Sequence, residues 1–485
     1  MCHFVEKHPA CFERTRLLAI CVSLMIASEC GFAKQQPTST PTENVESNFF
    51  SNIRQLTFDG KRAGEGYFSA DGKKLVFQSE REASNPFYQI YYLDLETGDT
   101  HRVSPGFGKT TCSWIHPDNQ RVLFASTQND PNAKKKQREE IAMRESGTER
   151  RYAWDYDDTY ELYSFDTESK KYSRLTEAQG YDAEASYSPD GKLIAFASNR
   201  RAFTDELTEQ QRSAFENDSA VMADIFIMNA DGTNLQQLTT ELGYDGGPFF
   251  SADGKKICFR HFEVNGAVAE IWTMDLDGSN KKQLTRIGAM SWAPFFHPTG
   301  EYLIFTTNKH GFSNFELYLV DAAGKSPPVR VTSTDGFDGL ASFTADGKTL
   351  TWTSNRTSNN TSQIFLANWD HAAACKALGI EASATSGSID TEAVQTAEAN
   401  AALTATDFSG LDLMKHVDFL CRPSLAGRMT GSSGESKATA YVAVHFDILG
   451  LQPVGDNGSW LQQFDFPAGA KLGQKKSVLC WGQDL

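Results

Sequence analysis

The stretch YSPDGKLIAFASNR, residues 187–200, combines a polar Asp-Gly turn, a short apolar run and a Ser-Asn-Arg ending. Three other stretches repeat it closely: FSADGKKLVFQSER from Phe68, FSADGKKICFRHF from Phe250 and FTADGKTLTWTSNR from Phe343. An Asp-Gly pair between apolar runs is typical of a β-hairpin turn. The apolar runs have the length of buried strands and are bounded by turn residues. The repetition therefore predicts a β-structure built from one recurring unit.

Six such turns align along the chain, and the uninterrupted copies lie about 47 residues apart. The aligned pairs are Asp71-Gly72, Asp118-Asn119, Asp190-Gly191, Asp253-Gly254, Thr299-Gly300 and Asp346-Gly347. Two intervals are longer because they contain insertions, at about residues 128–156 and 201–222. A fixed period of this length indicates a propeller, a solenoid or a repeat array.

Each unit continues with a third strand-like run and a fourth that ends in a recurrent tetrapeptide. The tetrapeptides are HRVS (101–104), SRLT (173–176), QQLT (236–239), KQLT (282–285) and VRVT (329–332). Four short antiparallel strands make one propeller blade. A further copy, RQLT (54–57), precedes the first unit, while the sixth unit has only three strands and ends at residue 369. We expect the N-terminal strand to complete the last blade and close the ring, because closure removes two free sheet edges.

The S-P-D-G-K turn, the S-N-R ending and the [RQ]-L-T strand together resemble the TolB-type six-bladed β-propeller, which is built of WD-like repeats. The resemblance covers residues 50–370 and implies an all-β six-bladed propeller. It implies function weakly, because propellers host many functions. TolB-type proteins are periplasmic interaction proteins, and related propellers also precede secreted peptidases.

Alternating strand direction assigns the loops of such a propeller to two faces. The Asp-Gly turns lie on one, which we call the Asp-Gly face. The Ser-Asn-Arg endings, the links between blades and both insertions lie on the other, the insertion face. Loops on a rigid scaffold commonly carry binding sites, so we expect a protein or peptide partner on the insertion face. The candidate binding residues are Asp59, Asp182, Arg200, Asp245, Asp338 and Arg356. The alternative is that these charged loops are only solvated.

Composition and the N-terminus indicate an exported protein. The chain has 485 residues, with 62 acidic and 46 basic residues and a formal charge of −16. That balance argues against a broad nucleic-acid footprint. Basic residues, the apolar run 17–28 and small residues up to Ala33 form the pattern of a secretory signal peptide over residues 1–33. We therefore expect a periplasmic or secreted protein with no transmembrane segment. Lipid anchoring at Cys30 is an alternative to which Glu29 is a poor fit.

A change of composition marks two further segments. Residues 371–405 are rich in Ala, Ser and Thr and are predicted to be a linker. Residues 406–485 contain two helical patterns, the second from about Ser433 to Gly450. The loop LAGRMTGSSGE (425–435), LGLQP (449–453) and GSWLQQF (458–464) resemble the opening segment of secreted co-catalytic zinc aminopeptidases.

That resemblance implies a peptidase in which His, Asp and Glu ligands hold two zinc ions and a Glu acts as general base. In the family these residues follow the matched segment, so we expect no catalytic, cofactor or metal residue in this chain and no activity of the chain alone. The His416-Val417-Asp418 run mimics a ligand pair, but residues two apart on a helix point to different sides. A serine peptidase is set aside, because GSSGES (431–436) does not fit the G-x-S-x-G motif. Two hypotheses remain: a binding scaffold derived from a propeller-fused aminopeptidase, or part of an active enzyme whose catalytic segment is supplied.

Overall fold

The computed structural model of the chain describes residues 45–147, 156–381, 410–422, 425, 433–453 and 460. The predicted signal peptide, with Cys30 and the cleavage position near Ala33, lies outside the described residues. Most of the predicted linker and much of the aminopeptidase-like segment lie outside them as well.

The described residues form six four-stranded antiparallel sheets, which we call blades 1 to 6. After β1 (Phe50–Gln55), blade 1 contains β2 (Arg62–Phe68), β3 (Lys74–Glu80), β4 (Gln89–Asp94) and β5 (Thr100–Arg102). Blade 2 contains β6 (Thr110–Ile115), β7 (Arg121–Ser126), β8 (Glu161–Asp166) and β9 (Tyr172–Arg174). Blade 3 contains β10 (Asp182–Tyr187), β11 (Leu193–Ser198), β12 (Asp224–Asn229) and β13 (Gln236–Gln237).

Blade 4 contains β14 (Tyr244–Phe250), β15 (Lys256–Phe262), β16 (Ala269–Asp275) and β17 (Lys282–Gln283). Blade 5 contains β18 (Ser291–Phe296), β19 (Tyr302–Thr307), β20 (Glu316–Asp321) and β21 (Val329–Arg330). Blade 6 contains β22 (Asp338–Phe343), β23 (Thr349–Ser354) and β24 (Gln363–Trp369), with β1 as its fourth strand. The predicted six-bladed all-β propeller is confirmed.

The core lies between neighbouring blades. The second strand of each blade is buried on both sides, and in β3 the side chains of Leu75, Val76 and Phe77 have no exposed surface. The sequences of such strands are continuous apolar runs, because a neighbouring blade covers each face of the strand. The first strands of neighbouring blades contact one another around the whole ring, so they surround the central channel.

The Asp-Gly turns connect the first and second strands. In blade 1 the Ser69 hydroxyl donates to the Asp71 carboxylate at 2.6 Å, which also accepts the Lys73 backbone N–H at 3.0 Å. Gly72 follows with φ +67°, a conformation that favours glycine. The segment DLDGSN (275–280) is likewise the turn between β16 and β17, with the Asp277 carboxylate accepting the Ser279 N–H at 2.9 Å. The predicted hairpin role of these acidic residues is confirmed.

The recurrent tetrapeptide ends in a hydroxyl that ties the fourth strand to the third. In blade 2 the Thr176 hydroxyl accepts the Leu162 backbone N–H at 2.9 Å and donates to the Glu161 carboxylate at 2.6 Å. All six blades contain this bridge. The pairs of hydroxyl and acceptor residues are Ser104 and Gln89, Thr176 and Glu161, Thr239 and Asp224, Thr285 and Glu270, Thr332 and Glu316, and Thr57 and Gln363.

Ring closure joins the two ends of the propeller. Strand β1 pairs antiparallel with β24, as expected from the additional RQLT copy. The Thr57 hydroxyl donates to the Gln363 amide oxygen at 2.7 Å and accepts the Ile364 N–H at 2.9 Å. Just upstream, the buried Glu46 carboxylate accepts two hydrogen bonds of 3.0 Å from the Arg356 guanidinium in blade 6. Burial opposes ionisation of Glu46, but these bonds and the Arg356 charge outweigh it and lower the pKa of Glu46.

The segment predicted as a linker begins with ordered structure. Residues His371–Leu378 form a helix whose buried residues are Ala374, Cys375 and Leu378, and these pack in the same cluster as Trp369 and Phe49. The apolar side chains recur one turn apart, so one face of the helix is apolar and packs against blades 5 and 6. The propeller unit therefore extends past residue 370.

Five other α-helices and two short 3-10 helices, Val45–Asn48 and Ser219–Met222, are described. In chain order the helices are α1 (Ala133–Glu145), α2 (Arg201–Thr204), α3 (Glu209–Asn217), α4 (His371–Leu378), α5 (Gly410–Leu420) and α6 (Ser433–Ile448). The helical prediction for the C-terminal segment is confirmed by α5 and α6. Phe419 stacks on Tyr441 between them with ring centroids 4.1 Å apart. Among the residues that the structure describes, none of the helices combines the length and apolar character of a membrane span.

The closing bridge can be tested with Thr57→Val. The change removes a buried hydroxyl and leaves the Ile364 N–H without its acceptor, so it should lower the free energy of unfolding by about 1–3 kcal/mol in urea denaturation. The control is Thr100→Val, at an exposed position of β5, which should stay within about 0.5 kcal/mol of the wild type. Equal stability of the two variants would show that the bridge does not support ring closure.

Candidate functional site

Helix α1 covers blades 1 and 2 on the insertion face. It lies in the first insertion, between β7 and β8. The Arg144 guanidinium bonds the buried Glu80 carboxylate of blade 1 at 2.7 Å. The Lys136 ammonium lies 2.8 Å from the buried Asp130 carboxylate, within the insertion, and 2.9 Å from the buried Asp157 carboxylate, in the loop before β8 of blade 2. The insertion is therefore tied to two blades by ion pairs with buried partners.

Helices α2 and α3 form the second insertion, between β11 and β12. Thr208 and Gln211 form a capping box that stabilises the start of α3. The Arg201 guanidinium lies 3.1 Å from the buried Asp224 carboxylate at the start of β12. Both insertions thus stand on the same face with defined anchors.

Four of the predicted binding residues form two buried ion pairs. Asp182 starts β10, and its carboxylate lies 2.5 Å from the Arg200 guanidinium just after β11. Asp338 and Arg356 occupy the equivalent positions in blade 6, 2.9 Å apart. Burial raises the pKa of Asp182, while the charge and hydrogen bonds of Arg200 oppose that effect. Both pairs connect the first and second strands of one blade.

The remaining two predicted residues differ from each other. The Asp245 carboxylate is buried and lies 2.6 Å from Nδ1 of His261, within blade 4. The Asp59 side chain is 84% exposed and lies 3.8 Å from Arg81. The six residues are thus distributed over separate blades, and their ion pairs are within the blade or to the N-terminal segment that closes it. The backbone N–H groups of Asp182, Asp245 and Asp338 donate to carbonyl groups of the preceding blade. Their role in binding stays a prediction.

The central channel contains an aromatic layer near the Asp-Gly face. The first strands of blades 1, 2, 4 and 5 have an aromatic residue at the next-to-last position, before the turn: Tyr67, Trp114, Phe249 and Phe295. Their rings contact one another, with centroids 4.9 Å apart for Tyr67 and Trp114 and 5.4 Å apart for Phe249 and Phe295. These four residues, which we call the aromatic layer, fill this end of the channel.

Two residues earlier, each first strand contains a bulge. The register shifts there in all six blades, and the bulged residue has a positive φ. The bulged residues are Glu65, Cys112, Glu184, Gly247, Ala293 and Leu340. A bulge turns a side chain away from regular pairing, and its presence in every blade makes it an architectural feature. In blades 1 to 3 it places two carboxyl groups and a thiol at the channel, closer to the insertion face than the aromatic layer.

Glu184 belongs to a satisfied network. Its carboxylate lies 2.8 Å from the Arg260 guanidinium and accepts the Gly247 backbone N–H at 2.5 Å and the Tyr244 hydroxyl. Arg260 is only 8% exposed, and its guanidinium lies over the Tyr244 ring, 4.6 Å from the centroid. A buried charge pair of this kind is tolerated because each partner is hydrogen-bonded.

Glu65 has a different environment. Its carboxylate contacts the Tyr67 hydroxyl at 3.4 Å, and among the described residues no lysine or arginine lies within ion-pair distance of it. Burial is the main cause that raises the pKa of Glu65 to about 7, and the negative charge of Glu184 acts in the same direction. Burial likewise raises the pKa of the Cys112 thiol. The channel therefore contains one carboxyl group whose charge changes near neutral pH and has no paired cation.

The bulge residues that line the channel were not predicted from the sequence, because the prediction rested on the turns and on the apolar second strands. The available signal was the alignment of the six first strands. At their bulge position, blades 1 to 3 have Glu65, Cys112 and Glu184, whereas blades 4 to 6 have small or apolar residues.

The two C-terminal histidines contact each other. His416 Nδ1 lies 2.9 Å from the Tyr441 hydroxyl, and the His416 and His445 rings are 4.7 Å apart. Burial, followed by the charge of His416, lowers the pKa of His445. A different group of potential metal ligands, Glu301, His371 and Cys375, lies on the Asp-Gly face.

The titration of Glu65 gives a testable pH dependence. The unfolded chain loses this proton near the ordinary value of 4.5, but the folded chain keeps it up to about pH 7. The folded state is therefore fully favoured by this group below pH 4.5, and stability falls as the pH rises to about 7. Glu65→Gln should remove that fall, on the order of 2 kcal/mol between pH 4.5 and 7.5 in urea denaturation. Glu168→Gln, in an exposed turn, is the control; an equal pH profile for wild type and Glu65→Gln would contradict the assignment.

The chain is similar in sequence and fold to known propeller proteins. The profile of the family described as the TolB beta propeller domain matches residues 260–400. TolB from Acinetobacter baumannii is 20% identical with a TM-score of 0.40, over 57% of this chain and 55% of that chain. A protein from Agrobacterium tumefaciens provisionally named TolB is 18% identical with a TM-score of 0.43, over 66% of this chain and 99% of its own. An oligogalacturonate lyase from Vibrio parahaemolyticus is 14% identical with a TM-score of 0.40, and the match covers 65% of this chain and 93% of that chain. The family match and the six-bladed topology together make this propeller TolB-like.

Proposed function

We propose that the propeller is a scaffold that binds a protein or peptide partner on the insertion face. The observation that carries this proposal is the asymmetry of the channel. The aromatic layer fills its Asp-Gly end, while Glu65, Cys112 and Glu184 line it toward the insertion face. Helices α1 and α3 add surface to the same face, where polar groups on a rigid ring can orient a ligand.

The charges of the channel favour a cationic group of the partner. Glu184 is neutralised by Arg260, so an ionised Glu65 leaves one net negative charge among these three residues. An ammonium or guanidinium group, such as a peptide amino terminus or a lysine or arginine side chain, would supply the missing partner of Glu65. Binding would also stabilise ionised Glu65 and lower its pKa. We further propose a periplasmic or secreted location, on the basis of the signal pattern in residues 1–33.

Site-specific photo-crosslinking in cells of the source organism tests the face. A photoreactive residue at Lys135 or Glu216, both exposed on the insertion face, should give crosslinked partners. The matched positions Asp253 and Lys348 are exposed on the Asp-Gly face and should give none. Crosslinking from only the latter two positions would place the partner on the wrong side and overturn the proposal.

Charge reversal tests the role of the channel. Glu65→Lys places a cation where the partner's cationic group should bind, so it should reduce capture of the crosslinked partner by about tenfold or more, which corresponds to about 1.4 kcal/mol. Glu168→Lys makes the same charge change in an exposed turn on the Asp-Gly face and should leave capture unchanged. Similar capture by both variants would exclude the channel from the binding site.

The alternative function is that of an aminopeptidase component. We propose that residues 406–485 derive from a zinc aminopeptidase-like domain, because of the loop and helix motifs in that segment. Helices α5 and α6 expose apolar residues that a further layer of such a domain would cover, namely Leu413, Met414, Val417, Val442 and Phe446. Further segments of such a domain would be needed for catalysis.

An activity assay separates the two functions. The purified chain should not release product from amino-acid p-nitroanilides, with or without added Zn²⁺, because His416 and His445 contact Tyr441 and each other instead of forming a carboxylate-rich metal centre. Heat-denatured protein provides the background rate. Metal-dependent turnover that co-purifies with the chain would move the enzyme hypothesis to first place.

A further inference from the structure

A histidine, a cysteine and a glutamate converge where helix α4 meets blade 5. His371 and Cys375 are one turn apart on α4, so they share a face of the helix. Glu301 follows the Thr299-Gly300 turn that connects β18 and β19. The three side chains come from two elements that the packing of α4 against blade 5 brings together, and their ligand atoms lie within 4.8 Å of one another.

The distances between these atoms match the edges of a tetrahedral zinc site. His371 Nε2 lies 3.2 Å from Glu301 Oε2, and Cys375 Sγ lies 3.7 Å from each of these two atoms. Bonds of about 2.0–2.1 Å to nitrogen or oxygen and about 2.3 Å to sulfur, at tetrahedral angles, place N and O about 3.3 Å apart and S about 3.6 Å from either. Sγ also lies 3.8 Å from Nδ1, so it sits beside the ring, and a rotation of the Cys375 side chain is needed for one ion to contact all three.

A hydrogen bond and a stacked ring orient the imidazole of His371. Its Nδ1 lies 3.1 Å from the Tyr302 hydroxyl oxygen, which also accepts the Trp369 indole N–H at 2.8 Å. The His297 ring stacks on it, with centroids 4.6 Å apart and planes 9° apart. A metal-bound histidine commonly uses its second ring nitrogen for such a bond, which fixes the ring and leaves the other nitrogen for the ion.

Charge and burial favour a divalent ion with an affinity for sulfur. Cys375 is 1% exposed, and the His371 and Glu301 side chains are 10% and 16% exposed. One thiolate and one carboxylate balance a 2+ charge, while the imidazole binds as the neutral base. Binding releases the thiol proton to solvent, together with any proton on Nε2. A mixed S, N and O set selects Zn²⁺ over Mg²⁺ or Ca²⁺, which prefer oxygen ligands.

We propose that Glu301, His371 and Cys375 bind one Zn²⁺ ion, with a water molecule as fourth ligand, and that this ion fastens α4 to blade 5. The site is different from the two-zinc centre that the resemblance to zinc aminopeptidases implies. It also departs from the expectation that the chain holds no metal. It does not depend on the proposed binding function. Its role is to hold the chain where it leaves the propeller.

Metal titration of the full chain tests the proposal. After removal of metal with a chelator, the chain should bind one equivalent of Zn²⁺ in competition with a chromophoric chelator. Co²⁺ should give visible bands of a tetrahedral site and a near-ultraviolet thiolate band. Cys375→Ser should abolish the thiolate band, and His371→Gln should weaken Zn²⁺ binding by more than about 100-fold, since even second-shell changes cost up to that factor. Tyr302→Phe, which keeps the three ligands, should weaken it by about tenfold.

Two controls keep the result interpretable. Cys258→Ser alters another buried cysteine, in blade 4, and should bind Zn²⁺ as the wild type does. In the unaltered chain, Zn²⁺ should slow alkylation of Cys375 relative to the exposed Cys421, as measured by mass spectrometry. This second measurement needs no variant to fold. Absence of stoichiometric Zn²⁺ binding, absence of protection at Cys375, or wild-type affinity of folded His371→Gln would each overturn the proposal.

Discussion

The buried hydroxyl between the third and fourth strands is the interaction on which the blades depend. Several fourth strands are very short, and β17 pairs with β16 through only two residues, Lys282 and Gln283. So short a strand gains little from backbone hydrogen bonds, because ordering each residue costs conformational entropy. The hydroxyl adds a buried donor and acceptor at its end, which must both be satisfied for the blade to form. In blade 6 the same bond joins Thr57 and Gln363 from opposite ends of the propeller, so a local device also closes the ring.

The channel shows how a common architecture produces a particular site. Every first strand contains a bulge with a positive φ, so the bulge itself carries no specificity. The residue at the bulge is a glutamate in blades 1 and 3, a cysteine in blade 2 and small or apolar in blades 4 to 6, and this decides the chemistry of the channel. Glu184 is balanced by Arg260, whereas the described partners of the Glu65 carboxylate, the Tyr67 hydroxyl and the Cys112 thiol, are uncharged groups. A carboxylate without a paired cation is costly in a partly dehydrated environment. This difference between Glu65 and Glu184 is the physical reason to assign ligand binding to the bulge residues of the channel.

Buried ion pairs also explain why charged residues at the ends of strands recur. Asp182 and Arg200 connect two strands of blade 3, and Asp338 and Arg356 do so in blade 6. Arg356 additionally holds Glu46, which precedes the closing strand. Charges that read as surface features in the sequence are thus largely used inside the blades, while the insertion helices and the channel supply the accessible polar groups.

The sequence by itself determined the number of blades, the four-strand unit, the turns and the ring closure. These features are local: a period of two, an Asp-Gly turn and a terminal threonine are each encoded within a few residues and repeated in register. It also indicated the C-terminal helices, whose apolar residues recur at helical spacing. Only the tertiary structure decided which side chains from different blades meet. Glu65 and Glu184 share the channel, and Glu301 meets His371 and Cys375, because the curvature of the closed ring and the packing of α4 bring distant segments together. The same reason explains why the sequence predicts a linker where α4 forms. The apolar face of α4 is short, and it is buried only by packing against blades 5 and 6.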